Sequence, residues 1–287
     1  MRKYSNRIIA SFLAIFFIFS SINANIIHVH GEEENVNSNW QTCIVYDGSN
    51  VNSQDYDRYS STIKSYLTVT NDGNLMKLQA LSDGRIIIEY YTPSYKLLPG
   101  ETVELHDGLL PIFGGFYETD DFYFIVSGQK NESEKNDVEV FRITKYDKNW
   151  KLIDSTGLYG SNTTIPFDAG TVRMDNYGDY LLIRTCHEMY TSSDGLNHQS
   201  NVTIQVKISD MSITDSYTEV MNSDWGYISH SFNQFIKIDD NGHIIAVDHG
   251  DAASINHNTR GVVLTKYPTN VGNGSFHSGQ CDVTIAQ

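Results

Sequence analysis

Short strand pairs joined by tight turns recur along this chain, and they constrain its fold more than any other feature. Asn-Gly and Asp-Gly pairs favour tight hairpins, because both central residues of such a turn must accept a positive φ. Four hairpins with such turns, or with Asp-Asp or a single glycine, are predicted in Leu78–Tyr91, Gly115–Val126, Thr171–Ile183 and Phe235–Val247. The pattern predicts an all-β fold.

Further strands follow three of the hairpins and give the chain a repeat. They lie in Val138–Asp154, Val202–Asp215 and Gly261–Tyr267. Lys145, Lys207 and Lys266 occupy matching places in them, at intervals of roughly 60 residues. Four-stranded units repeated in this way are typical of β-propeller blades. We therefore predict a β-propeller-like repeat, with a two-sheet β-sandwich as the alternative.

The number of repeats bears on how the domain closes. About four units fit between residues 66 and 287, whereas propellers have about 4–8 blades and must close to hide their strand edges. We therefore expect the domain at 66–287 to be an unusually small ring or one that is incomplete at the C-terminus.

The N-terminus has the pattern of a secretory signal peptide. Arg2, Lys3 and Arg7 precede the apolar run Ile8–Ser20, and Ala24 offers a small residue for cleavage. The run is short for a transmembrane helix, which needs about 20 apolar residues. We predict a signal peptide at 1–24, a polar and loosely structured lead-in at 25–65, and a secreted or cell-surface protein that leaves the membrane after cleavage. An uncleaved anchor is the alternative.

Charge and cysteine spacing exclude several function classes. The net charge of −15 argues against binding to a phosphate backbone, so no nucleic-acid partner is expected. Cys43, Cys186 and Cys281 match no zinc-binding spacing, and no nucleotide-binding glycine loop occurs, so neither a metal nor a cofactor is predicted. In an oxidising compartment one pair of these cysteines could form a disulfide.

Acceptor motifs for N-glycosylation occur in the chain and predict surface positions if the host modifies asparagine. They begin at Asn131, Asn162, Asn201 and Asn273.

The segment Arg184–Asn201 brings two histidines, a cysteine, an arginine, a tyrosine and two carboxylates together with almost no aliphatic residues between them. Polar groups are costly to bury without partners, so a fold concentrates them for a binding site or for a polar network between loops. The segment follows the strand-like run Asp179–Arg184, and we expect it to lie where that strand passes into a loop.

Matching polar motifs follow the hairpins of neighbouring units, and in a propeller such loops gather at one end around the axis. Separate side chains could then converge on one ligand. The candidate ligand-binding residues are Arg184, His187, Glu188, Tyr190, Asp194, His198, His230, Asn233, Asp248, His249 and Asp251.

Several long motifs give the chain a family resemblance. They are Arg184–Asn201, Gly226–Phe235 and Val247–Ala252, together with Lys145–Trp150 and Tyr159–Gly170. In these stretches the chain resembles an uncharacterised family of secreted bacterial β-propeller-like surface proteins. The resemblance implies an exported β fold and no particular activity. After Ala252 the chain departs from the family pattern.

Three functions follow from this pattern. The first is recognition of a glycan or protein ligand outside the cell, through hydrogen-bonding side chains beside aromatic faces. The second is a histidine-dependent enzyme, either metal-dependent or similar to propeller sulfotransferases. The third is purely structural, with the polar motifs connecting one unit to the next.

Overall fold

The structure, a computed structural model, describes residues 62–168, 170–223, 226–228, 235–250 and 261–273. The predicted signal peptide and nearly all of the lead-in lie outside the described residues. Within these ranges no helix has the length and apolar character needed to cross a membrane.

The described strands form four successive antiparallel sheets and one separate two-stranded hairpin, and strand order follows chain order except for one short strand of the third sheet. The first sheet contains β1 (Ser65–Val69), β2 (Leu75–Ala80), β3 (Ile86–Tyr91) and β4 (Val103–Leu105), with a 3-10 turn at Pro99–Glu101. The second contains β5 (Ile112–Glu118), β6 (Tyr123–Gly128), β7 (Glu139–Tyr146) and β8 (Leu152–Tyr159). The third contains β10 (Arg173–Tyr177), β11 (Tyr180–Thr191), β12 (Asn197–Lys207) and β13 (Ile213–Tyr217), with β9 (Ile165–Pro166) paired to β11. A hairpin of β14 (Met221–Ser223) and β15 (Gly226–Ile228) precedes the fourth sheet, which contains β16 (Phe235–Ile238), β17 (His243–Gly250) and β18 (Gly261–Asn270).

This architecture confirms the predicted all-β, propeller-like repeat of about four units. A sandwich would divide the strands between two sheets, whereas here each consecutive stretch of chain builds a sheet of its own. The fourth sheet has three strands among the described residues.

The alignment of the first unit with the others was wrong by one strand. In the second, third and fourth sheets the predicted turns join the first strand to the second, but the Asp83-Gly84 turn joins β2 to β3. Its counterpart is the turn at Asp72-Gly73, which joins β1 to β2 and where Gly73 has a φ of +84°. Both turns contain Asp-Gly, so composition alone could not assign their order, and β1 was not among the predicted strands.

Apolar side chains hold neighbouring sheets together face to face. One core cluster joins the first sheet to the second and includes Ile88 and Ile125. A second joins the second sheet to the third and includes Phe141 and Ile183. A third joins the third sheet to the fourth through Leu182. Inner strands are therefore buried on both faces, which is why they are nearly continuous apolar runs.

One buried carboxylate connects three sheets at their first strands. Asp175 of β10 accepts hydrogen bonds from Tyr117 of β5 (3.1 Å) and from the backbone N–H of Ile238 in β16 (2.8 Å). It also pairs with Lys237 at 3.2 Å. Because burying a charge is costly unless it is paired, this network fixes the positions of the first strands relative to one another.

Candidate functional site

The polar segment Arg184–Asn201 forms a long β-hairpin, and the expectation that it passes into a loop was wrong. β11 and β12 are 12 and 11 residues long, and they remain paired as far as Thr191 and Asn197. Cys186 pairs with Asn201, and His187 pairs with Ser200. The strands can continue through polar residues because side chains on both faces find partners in adjoining segments.

Strand alternation decides which candidate residues can meet. Successive side chains of a strand point to opposite faces of the sheet. On β11, Ile183 packs toward the second sheet and Leu182 toward the fourth. Arg184 therefore faces the fourth sheet, and His187 faces the second. These two predicted site residues cannot converge on one ligand.

Arg184 and Asp248 form a buried ion pair between the third and fourth sheets. Arg184 Nε donates to Asp248 Oδ1 at 3.0 Å, and Nη2 donates to Oδ2 at 2.5 Å. Arg184 Nη1 also donates to Thr203 Oγ1 and Tyr267 OH, each at 2.6 Å. Burial acts to lower the pKa of the guanidinium, but the Asp248 carboxylate outweighs it and the pKa is raised. Both side chains are at most 1% exposed, so they are shielded from solvent.

His187 and Glu188 contact the segment that leads into β9. His187 is fully buried, and its Nδ1 lies 2.6 Å from Thr163 Oγ1. Burial lowers the pKa of His187 to about 3, against a smaller opposing effect of the Thr218 backbone. Glu188 Oε1 accepts a hydrogen bond from Thr164 Oγ1 at 2.7 Å. At neutral pH the imidazole is uncharged and inaccessible, which suits a contact between sheets better than a general base.

The end of the hairpin is exposed, and it carries two further candidate residues. Asp194 lies in the turn and accepts hydrogen bonds from Ser192 Oγ (2.5 Å) and the Leu196 N–H (3.0 Å). His198 Nε2 lies 2.9 Å from Asp194 Oδ2. The hydrogen bonds from Ser192 and then His198 lower the pKa of Asp194 to about 2. All residues from 191 to 197 are exposed.

A loop of the second sheet braces this exposed end. Glu134, in the connection between β6 and β7, accepts hydrogen bonds from the Thr191 N–H (2.8 Å) and Oγ1 (2.6 Å). Tyr190 OH accepts from Asn131 Nδ2 at 3.0 Å and donates to the Lys135 carbonyl at 3.1 Å. Glu134 was not among the predicted site residues, because its partner Thr191 lies on another unit and no local pattern connects the two.

The remaining candidates lie partly or wholly beyond what the structure describes. His230, Asn233 and Asp251 are outside the described residues, and His249 is described only as a backbone position on β17. Their convergence stays a prediction. Among the described residues, no three His, Cys, Asp or Glu side chains are placed so that they could hold a metal ion.

Two of the predicted glycosylation positions are not at the surface. Asn131 and Asn201 are 3% and 2% exposed. The Asn131 amide donates to the Lys135 carbonyl and to Tyr190, and Asn201 Oδ1 accepts from the buried Cys186 thiol at 3.2 Å. Asn162 is half-buried and Asn273 is exposed. An acceptor motif specifies three residue types but not their burial, so the motif alone could not separate these cases.

Comparison with known proteins shows no match to a protein-family model or to a curated protein. Solved structures with similar folds include a glycoside hydrolase family 43 arabinoxylan arabinofuranohydrolase from Bacillus subtilis, with a TM-score of 0.44 and 12% identity over 78% of this chain and 49% of that one. Synechocystis apocarotenoid oxygenase has a TM-score of 0.44 and 10% identity over 79% of this chain and 49% of that one. Drosophila Plexin A, in a complex with Semaphorin 1b, has a TM-score of 0.41 and 12% identity over 70% of this chain and 39% of that one. The chain spans half or less of the length of these proteins. At such scores the likeness supports no inference about function.

Proposed function

We propose that this protein is a recognition module that binds a glycan at or outside the cell surface, through the exposed end of the β11–β12 hairpin. One observation carries the proposal. The residues from 191 to 197 are all exposed, yet Glu134 and Asn131 of the second sheet hold both sides of this hairpin end in place. A surface that is ordered before binding loses less entropy when a ligand arrives.

The chemistry of the hairpin end suits a sugar. Asp194, His198 and Asn197 offer acceptors and donors for hydroxyl groups, and Leu196, at 59% exposed, offers an apolar contact. Sites for small polar ligands combine a few fixed polar groups with apolar surface in this way. The net charge of −15 favours a neutral or cationic partner at this position over nucleic acid.

Recognition fits this surface better than catalysis does. Asp194 and His198 form an acid–base pair, but both side chains are about half exposed. Catalytic electrostatics depend on a site that excludes water, and an exposed turn does not provide one.

A glycan array probed with the purified mature chain tests the proposal. We expect the wild type to bind a defined subset of glycans. A variant with Leu196→Ala and His198→Ala should lose about 10-fold or more of that binding, as expected when anchor residues of a contact are truncated. The matched control is His106→Ala, which changes an exposed histidine away from the hairpin.

Three results would count against the proposal. The first is that the wild type binds no glycan. The second is that His106→Ala loses as much binding as the double variant, and the third is that the double variant binds as well as the wild type. If wild type captures a protein ligand and the double variant does not, the ligand of this surface is a protein and not a glycan.

A further inference from the structure

Arg173 is a cation that has no acceptor within the described part of the chain. It is the first residue of β10, where the chain enters the third sheet. Its Nε is buried and forms no hydrogen bond, and no carboxylate lies within ion-pair distance of its guanidinium among the described residues. A buried donor without an acceptor costs about 1–3 kcal/mol. Such a group in a native fold calls for an explanation.

The guanidinium lies where the first strands of three sheets approach one another. Its Cζ is 4.4 Å from the centre of the Phe235 ring, at the start of β16. It is also close enough to the Tyr66 hydroxyl of β1 to oppose the rise in the pKa of Tyr66 that burial causes. Phe235 remains 49% exposed, so solvent reaches this position from one side.

Neighbouring charges leave the positive charge of Arg173 unbalanced. Arg184 is its cross-strand partner on β11, and the charge of Arg184 is matched by Asp248. Asp175 lies two residues further along β10, but Lys237 already pairs with it. Among the residues that the structure describes, one positive charge near Phe235 is therefore left without a paired carboxylate, although the chain as a whole carries −15.

The geometry points to a binding site for a carboxylate. An arginine stacked on an aromatic ring keeps the edge of its guanidinium free, and that planar edge matches a carboxylate through two parallel hydrogen bonds. We propose that Arg173 and Phe235 bind the carboxylate of a small ligand, with Arg173 as the ion-pairing group and Phe235 as its apolar flank. This site is separate from the β11–β12 hairpin.

Isothermal titration of the full chain with galacturonate, acetate and galactose tests this inference. Galacturonate should bind saturably, and neutral galactose at least about 10-fold more weakly, because it lacks the group that forms the ion pair. If acetate binds as tightly as galacturonate, the site recognises the carboxylate alone. If acetate binds more weakly, the site recognises a sugar acid. Raising the salt from 0.05 to 0.5 M should weaken binding, since screening reduces ion pairing at a half-exposed site.

Variants identify the site and separate it from the hairpin. Arg173→Gln should lower the galacturonate affinity by about 10-fold or more, and Arg173→Lys by less, because lysine keeps the charge but loses the planar fork. The control Arg142→Gln removes an arginine that is already paired with Glu139, and it should bind as wild type does. The Leu196→Ala and His198→Ala variant should also bind galacturonate normally, even if glycan recognition by the hairpin fails. No saturable binding of galacturonate or acetate, or equal affinity in a folded Arg173→Gln variant, would overturn the inference.

Discussion

Arg184 and His198 belong to one polar segment, but their surroundings give them different roles. Arg184 is buried and shares its hydrogen bonds with two strands of the neighbouring sheet. His198 is about half exposed and pairs with Asp194, a turn residue of its own hairpin. A residue type therefore does not identify a site here, and burial and partners decide what each side chain can do.

The ion pair between Arg184 and Asp248 provides the first prediction at this scale. Asp248→Asn leaves the guanidinium buried without its counter-charge, which should cost about 3–5 kcal/mol in the free energy of unfolding. Urea denaturation at pH 7 measures this cost. Glu104→Gln, which breaks the exposed pair with Arg85, is the control and should cost less than about 1 kcal/mol. Equal losses in the two variants would show that Arg184 is not held in a buried pair.

The buried imidazole of His187 predicts how stability depends on pH. Its pKa is about 3 in the folded chain and 6.5 in its ordinary state. Between these values the unfolded chain binds a proton that the folded chain does not. The contribution of the buried neutral His187 to the free energy of unfolding is therefore complete above pH 6.5. It is lost as the pH falls below that value, by up to about 1.4 kcal/mol per pH unit.

Urea denaturation between pH 7 and pH 5 measures this slope before most carboxylates titrate. We expect His187→Gln to show a shallower decline of the free energy of unfolding with falling pH than wild type. Identical slopes in wild type and His187→Gln would mean that His187 can take up a proton in the folded state.

At the scale of elements, the hairpins were predictable and the continuation of β11 was not. Asp-Gly and Asn-Gly turns mark the strand connections directly. The β11 residues beyond Arg184 lack the aliphatic pattern of a strand, because their partners are Thr163, Thr164 and the β12 ladder. Those partners come from distant parts of the chain, so no local pattern could show them.

The brace at the end of this hairpin provides a prediction for the element. Glu134→Ala removes the acceptor of the Thr191 N–H, and we expect hydrogen exchange at Thr191 to rise about 10-fold or more through local opening. Global stability should change by only about 0.5 kcal/mol, as for other surface substitutions. Glu132→Ala, an exposed neighbour in the same loop, is the control. Unchanged exchange at Thr191 in Glu134→Ala would show that the brace does not order the hairpin.

For the whole molecule, the repeat was visible in the sequence but the convergence of polar residues was not. The period of strands and turns predicted successive sheets, and the structure has them. Whether Arg184 and His187 face one ligand depends on which side of β11 each occupies and on the sheet that covers that side. Strand alternation sends them to opposite neighbours, so their nearness in sequence gave a misleading picture of a single site.

The polar segment divides into a buried part that joins sheets and an exposed end that is free to contact a ligand. Thermal unfolding of His187→Ala beside His198→Ala tests this division. His187→Ala removes one of the two hydrogen-bond partners of Thr163 Oγ1, the other being the Ser161 carbonyl, and creates a void. A loss of about 2–3 kcal/mol and a midpoint lower by roughly 4–12 °C are therefore expected. His198→Ala should melt within about 2 °C of wild type. Midpoints that fall equally in both variants, or that fall in neither, would contradict this division.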